Sequence, residues 1–216
     1  MSKPAIESKF PSRRQEASEQ RRQAILDAGL DVFAEHGFAA ARLDEVAERA
    51  GVAKGTIYLS FKDKEDLFEQ IILGAVKPVL ARVDQVAGRS DLPVDAILSG
   101  LFDVFRTQIL ETKRKEIIRL VLTEGGRFPR IAEFYHREVI TKGLAIIRRA
   151  AQRAYERGEL PSNDLGRFPH LVFAPLLLAL IWQGLFANIQ PLDVKGLLAA
   201  HRTILLGAGK RKRDKK

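Results

Sequence analysis

No stretch of this chain alternates apolar and polar residues for long enough to make a half-buried strand, and no tight turn joins two β-branched runs. Apolar residues recur instead at the three- and four-residue spacing of a helix face along most of the sequence. That single property dictates an all-α fold. Ile25, Ala28, Gly29, Val32 and Phe33 form one such stripe, which stops at Gly37. Leu43, Val46, Ala47 and Ala50 form a second, shorter one, closed by Gly51, and Val52, Thr56, Ile57 and Phe61 form a third. Asp63 is placed as the N-cap of a fourth helix, with Asp66 completing a capping-box-like pair. Leu67, Ile71, Ile72 and Ala75 carry that helix to Pro78, where a kink or an end is expected. Further helical stretches are expected over about 93–112, 114–126, 129–157, 165–189 and 192–207.

Length and composition narrow the class. The 216 residues are enough for one large domain or two modest ones with a real core. The absence of cysteine excludes disulfides and thiolate metal sites and fits a reducing cytoplasm. With four histidines and no cysteine, no metal constellation forms in the sequence, and no cofactor is called for. The N-terminal "MSKPAIESKFPSRRQEASEQ" has no apolar core of a signal peptide. The most apolar run, Leu171 to Ala187, is short for a membrane span and is interrupted by Pro175, Gln183 and Gly184. It reads as a helix buried in protein, against a second copy of the chain.

The net charge of +9 suggests nucleic acid until its distribution is considered. The final "KRKRDKK" carries six basic residues and one acidic, whereas Arg21 to Phe68 holds seven basic against nine acidic. Any DNA contact must therefore come from a local arrangement, and the basic end reads as a solvated tail.

That local arrangement lies in "GVAKGTIYLSFKDKEDLF". The second and third helices are too short to persist alone and must be held by packing against the first. Gly51 supplies the reversal between them, which gives the spacing of a helix-turn-helix whose second helix enters the major groove. On the outward face, Lys54 can reach a guanine edge or a phosphate, Thr56 and Tyr58 offer hydroxyls, and Lys62 can neutralise a further phosphate. Arg42 is placed to touch the backbone across the groove, and Lys64 flanks the start of the fourth helix. Gly55 permits the close approach either of a phosphodiester or of a neighbouring helix, and Tyr58 is either exposed or half in the core.

The segments "RQAILDAGLDVFAEHGF" and "LDEVAERAGVAKGTIYLSFKDKEDLF" resemble the N-terminal DNA-binding domain of the TetR/AcrR family of bacterial transcriptional regulators. The resemblance covers Arg22 to Phe68. It implies a dimer that represses transcription from a palindromic operator until a small-molecule effector binds the C-terminal domain. It also places Lys54, Gly55, Thr56 and Tyr58 on the recognition-helix motif and Lys62 and Lys64 on flanking phosphate contacts. Three departures stand out: Ala41 at the usual position of a helix-capping threonine, Ala53 for a serine, and Leu59-Ser60 for polar or aromatic residues. The division implied is an arm over 1–20, a DNA-binding domain over 21–68, a ligand-binding and dimerisation domain over 69–209, and a tail over 210–216.

In the C-terminal part, "EGGRFPRIAEFYHREV" is similar to an AefR-like subset of the family. Leu178, Trp182, Leu185, Leu197, His201 and Leu205 fall where the family builds its dimer interface. Phe102, Phe105, Leu122, Phe128, Phe134, Phe173 and Trp182 are candidates to line an effector pocket, with His136 and His170 as further ligand-facing groups. The aromatics favour an apolar effector; Arg119, Arg127 and Arg130 equally favour an anionic one. Two other classes compete. A nonspecific DNA binder would act through the basic tail. An enzyme would need a nucleophile elbow, a phosphate-binding glycine loop or a His-Glu-x-x-His pattern, none of which occurs.

Overall fold

In the computed structural model, which describes residues 13–207, every regular element is helical. The chain forms two compact units, Met1–Ile71 and Ile72–Lys216.

The first unit contains α1 (Arg13–Ala40), α2 (Leu43–Arg49), α3 (Lys54–Ser60) and the start of α4 (Lys64–Ala87). Helix α1 breaks its regular geometry at Gly37, whose φ of 74° is open to glycine at little cost. After α2 the chain closes a Schellman motif. Gly51 takes φ +66°, its N–H donates to the Glu48 carbonyl at 3.1 Å, and the Val52 N–H donates to the Ala47 carbonyl at 3.0 Å. Phe33, Phe38 and Phe68 meet at the centre with ring centroids 5.3–5.7 Å apart. Ile25, Val32, Val46, Ile57 and Phe61 complete a dry core. The capping pair at the start of α4 is formed: the Asp66 N–H donates to Asp63 Oδ1 at 2.8 Å, and the Lys62 N–H donates to Asp66 Oδ2 at 3.0 Å.

The second unit contains the rest of α4, α5 (Val94–Phe105), α6 (Arg114–Glu124), α7 (Pro129–Tyr135), α8 (Thr141–Glu156), α9 (Asp164–Arg167), α10 (His170–Phe186) and α11 (Val194–Leu205). Two π-type turns, Arg106–Leu110 and His136–Ile140, extend α5 and link α7 to α8. The main core packs α5, α8, α10 and α11 through residues such as Leu98, Leu101, Phe102, Ile147, Leu176 and Leu198. Arginines of α8 tie down the end of α4 and the loop after it. Arg149 meets Asp84 at 3.1 Å, Arg153 donates to the Ala87 carbonyl, and Arg157 donates to the Ser90 carbonyl at 2.8 Å. The three arginines stand four residues apart on one face, and Arg153 satisfies a carbonyl that the C-terminus of α4 leaves unpaired.

Three expectations need correction. Residues 13–20 belong to α1 rather than to a flexible arm. Helix α4 does not end at Pro78 but continues nine residues to Ala87, and Arg114 Nε donates to the nearby Ala75 carbonyl at 3.0 Å. The stretch 165–189 is not one helix. Pro169 lacks an N–H and drives Phe168 to φ −125°, ψ 67°, so α9 ends before α10 begins. Within its own chain, α10 is covered on one side. Val172, Pro175, Leu176, Ala179 and Leu180 face the core, while Leu171, Leu177, Leu178, Ile181 and Leu185 are exposed. The expectations for residues 1–12 and 210–216 lie outside the described residues.

Candidate nucleic-acid interface

Helix α3 has one buried residue, Ile57, which anchors it to the core of the first unit. Apart from the half-buried Thr56, the rest of it faces outward. Lys54, Gly55, Tyr58, Leu59 and Ser60 are exposed, Tyr58 at 58% and Leu59 at 91%. A residue as apolar as leucine, left almost wholly in water on a short helix, is unusual unless another surface covers it. A methyl group added at Gly55 would meet no atom within 4 Å. The glycine is therefore not a packing glycine between helices, and its bare backbone faces outward. Tyr58 is likewise not part of the core.

The acid missing from α3 is supplied by α2. Asp44, in the first turn of α2, accepts from Lys54 Nζ at 2.9 Å and from the Tyr58 hydroxyl at 3.4 Å. Lys54 and Tyr58 are four residues apart and so share one face of α3. The Lys54 ammonium holds the Asp44 carboxyl below its usual range, and the carboxylate raises Lys54 in return. Sequence reading missed Asp44 because the partners are ten and fourteen positions apart on different helices. Beside this group an open hollow of about 580 Å³ is lined by Arg42, Asp44, Glu45, Glu48, Val52 and Lys54, among others. Glu45 is itself held below its usual range, first by His36 at 3.0 Å and then by Arg49.

The other DNA-facing candidates divide. Arg42 and Lys62 are exposed and Thr56 is half-buried. Lys64 is turned inward: its ammonium donates to the Phe38 and Ala39 carbonyls at 2.9 and 2.8 Å and lies 5.0 Å from the Phe38 ring centroid. Those carbonyls at the end of α1 take two of its three donors. The cap of α2 also needs correction. The N-cap residue is Arg42, with no side-chain cap, and Ala41 is buried. Ala53 caps α3, again without a side-chain bond.

In the second unit, the seam candidates Leu178 and Leu185 are 47% and 65% exposed, and Trp182 and Leu197 are half-buried. Leu205, half-buried, packs on the core of its own chain, and His201, also half-buried, bonds the Leu171 carbonyl. Ile181, Ile189 and Ile204 are exposed apolar residues of the same two helices and the turn between them, which the sequence did not single out. Of the pocket candidates, Phe102 and Phe134 are buried, and Phe105, Phe128 and Phe173 are half-buried. Leu122 is 50% exposed and is withdrawn as a wall of an interior cavity. Among the described residues, no group of three or more His, Asp or Glu is placed to hold a metal, and no helix is long and apolar enough to cross a membrane.

The profile of the bacterial regulatory proteins of the tetR family matches residues 25–71, the helices just described. A second profile, the tetracyclin repressor-like C-terminal domain, matches residues 89–190. The chain belongs to the TetR family. It is a transcriptional regulator and not an enzyme. Among its relatives is the HTH-type transcriptional regulator AcrR of Shigella flexneri, 27% identical over 89% of this chain and 90% of that one. The fold is shared with FadR of Bacillus subtilis, solved with stearoyl-CoA, at 22% identity and a TM-score of 0.67, covering 85% of this chain and 97% of that one. It is also shared with the SmeT–triclosan complex, at 22% identity and a TM-score of 0.70, covering 87% and 90%; SmeT is the repressor of a multidrug efflux pump of Stenotrophomonas maltophilia.

Proposed function

We propose that this TetR regulator is a homodimeric repressor whose two α3 helices read the half-sites of a palindromic operator, and that a small apolar effector bound in the second unit releases it. The observation that carries the DNA part is the outer face of α3. Its lysine, bare glycine, tyrosine and leucine all point away from the core, and no packing need explains the glycine or the leucine. Two copies held by a twofold axis would present two such faces to successive turns of major groove. The exposed apolar row of α10 and α11 is suited to that pairing.

The effector reading rests on Phe105. It lies half-buried against all three core clusters of the second unit, at the start of the Arg106–Leu110 π-turn. Such interruptions gather at functional positions. Relatives solved with stearoyl-CoA and with triclosan hold ligands that carry an apolar body, in stearoyl-CoA joined to an anionic phosphate-bearing part; the apolar reading for this chain rests on Phe105.

Selection from a randomised duplex library by the full-length protein tests the DNA reading. The expected result is one palindromic consensus, bound as a dimer and weakened steeply by salt. Equal binding of scrambled duplexes, lost when residues 210–216 are removed, would instead assign binding to the basic tail. Titration of the operator complex with stearoyl-CoA and triclosan, with release read by mobility shift and binding by Trp182 fluorescence, tests the effector class. Release by neither removes it.

A further inference from the structure

Lys54 and Asp44 form a donor–acceptor unit at the point where α3 leaves the protein surface, and neither group is used up by the contact. A lysine ammonium has three N–H donors, and one is taken. A carboxylate has about four lone-pair positions, and two are taken, one by Lys54 and one by Tyr58. Two donors and two acceptor positions remain side by side, with Nζ and Oδ2 2.9 Å apart. Tyr58, one turn along α3, keeps the carboxylate turned toward the recognition helix rather than toward solvent.

The major-groove edge of a G·C pair carries the complement of this unit. Guanine O6 accepts and cytosine N4 donates, and because the two are hydrogen-bonded to each other they lie about 2.9 Å apart. Guanine N7 is a second acceptor on the lysine side. In the reverse orientation the ammonium would face an amino donor and the carboxylate a carbonyl oxygen, so both contacts fail; on an A·T pair read from the purine the same mismatch leaves only the lysine contact to N7. A T·A pair keeps the order of acceptor and donor but offers a methyl group where guanine offers N7, so one lysine contact is lost.

Resting on the reading of α3 as the DNA-reading helix, we propose that Asp44 is a base-reading residue: it and Lys54 together recognise one G·C pair in each half-site, Lys54 on guanine O6/N7 and Asp44 on the cytosine 4-amino group. A carboxylate near DNA ordinarily repels phosphate, but this one enters the groove with its charge matched by Lys54. Asp44, half-exposed, is ionised and an acceptor at neutral pH like any ordinary carboxylate open to solvent.

The experiment is selection from duplexes with a randomised 20-base-pair centre by full-length wild-type, Asp44→Ala and Lys54→Ala proteins. Both variants should lose preference at the same G·C pair of each half-site, by about five- to a hundredfold, while the other positions keep theirs. Losses at different positions overturn the proposal. So does an Asp44→Ala protein that binds every sequence more tightly, with a salt slope steeper by about one, since that is the behaviour of a carboxylate that only repels phosphate. A second measurement leaves the protein unaltered. Replacing that cytosine by a pyrimidin-2-one lacking the 4-amino group should weaken wild-type binding and leave Asp44→Ala indifferent; an indifferent wild type overturns the assignment. If the wild type selects no sequence at all, the reading of α3 falls and takes this proposal with it, whereas a clear consensus left intact by Asp44→Ala removes the Asp44 role alone.

Discussion

His201 donates its Nε2–H to the Leu171 carbonyl at 2.7 Å. That carbonyl lies four residues before Pro175 inside α10, so the proline ring leaves it without its intrahelical donor. A histidine of α11 thus satisfies a vacancy in α10, and it fixes the imidazole as the tautomer protonated on Nε2, since a carbonyl only accepts. The bond ties together the two helices whose outer faces carry Leu178, Ile181, Leu185 and Ile204.

Replacing His201 by alanine should therefore lower stability by about 0.5–1.5 kcal/mol, the net value of one such hydrogen bond. The measurement that isolates it is a double-mutant cycle with Pro175→Ala, which restores an N–H to the Leu171 carbonyl. In that background His201→Ala should have a smaller effect, read from urea midpoints at constant slope. Equal effects in both backgrounds would show that His201 acts through packing on Phe102, whose ring centroid is 6.2 Å away.

Periodicity and turn chemistry made much of the first unit legible. The stop at Gly37, the Gly51 reversal and the Asp63–Asp66 cap are local events written in neighbouring residues. The site was readable only on α3, because the outward face of one helix follows from its own sequence. Asp44 and the inward turn of Lys64 depend on contacts between helices up to 26 positions apart, for which spacing carries no signal. In the second unit the break at Pro169 was visible as a proline, yet the uniform apolarity of its surroundings hid it.

Gly55→Ala separates folding from recognition. The added methyl meets nothing within 4 Å, and alanine favours a helix over glycine by up to about 1 kcal/mol, so stability should hold or rise. If α3 reads DNA as proposed, affinity should nevertheless fall at least about tenfold at fixed salt, because the methyl would stand between the bare backbone and DNA. Paired melting curves and mobility-shift titrations check both halves. Unchanged affinity would remove Gly55 from the interface.

Burial pushes the Tyr135 phenol up to about 12. The sign of the consequence follows from proton counting. Between about pH 10 and 12 the unfolded chain releases this proton and the folded chain keeps it, so stability declines as pH rises through that window. One proton corresponds to about 1.4 kcal/mol per pH unit. Urea unfolding of wild-type and Tyr135→Phe proteins from pH 8 to 11.5 should show a shallower alkaline decline in the variant. Parallel curves would mean that the hydroxyl titrates as freely in the folded chain as in the unfolded one.

Leu185 is 65% exposed on a helix whose mean character is strongly apolar. On a lone chain, a charge at so open a position changes stability by no more than about 0.5 kcal/mol. At the centre of a seam between two copies, the same charge would be buried without a partner, which costs several kcal/mol per ion. Leu185→Glu should therefore leave the helical content intact while shifting sedimentation from dimer to monomer at micromolar protein. The melting temperature should fall, and its dependence on protein concentration should disappear, since folding and pairing are linked by mass action. Operator binding should weaken in step, because one recognition helix then reads one half-site. A wild-type chain that sediments as a monomer would remove the twofold pairing, and a Leu185→Glu chain that still pairs would place the axis elsewhere and leave the α10 face to another partner.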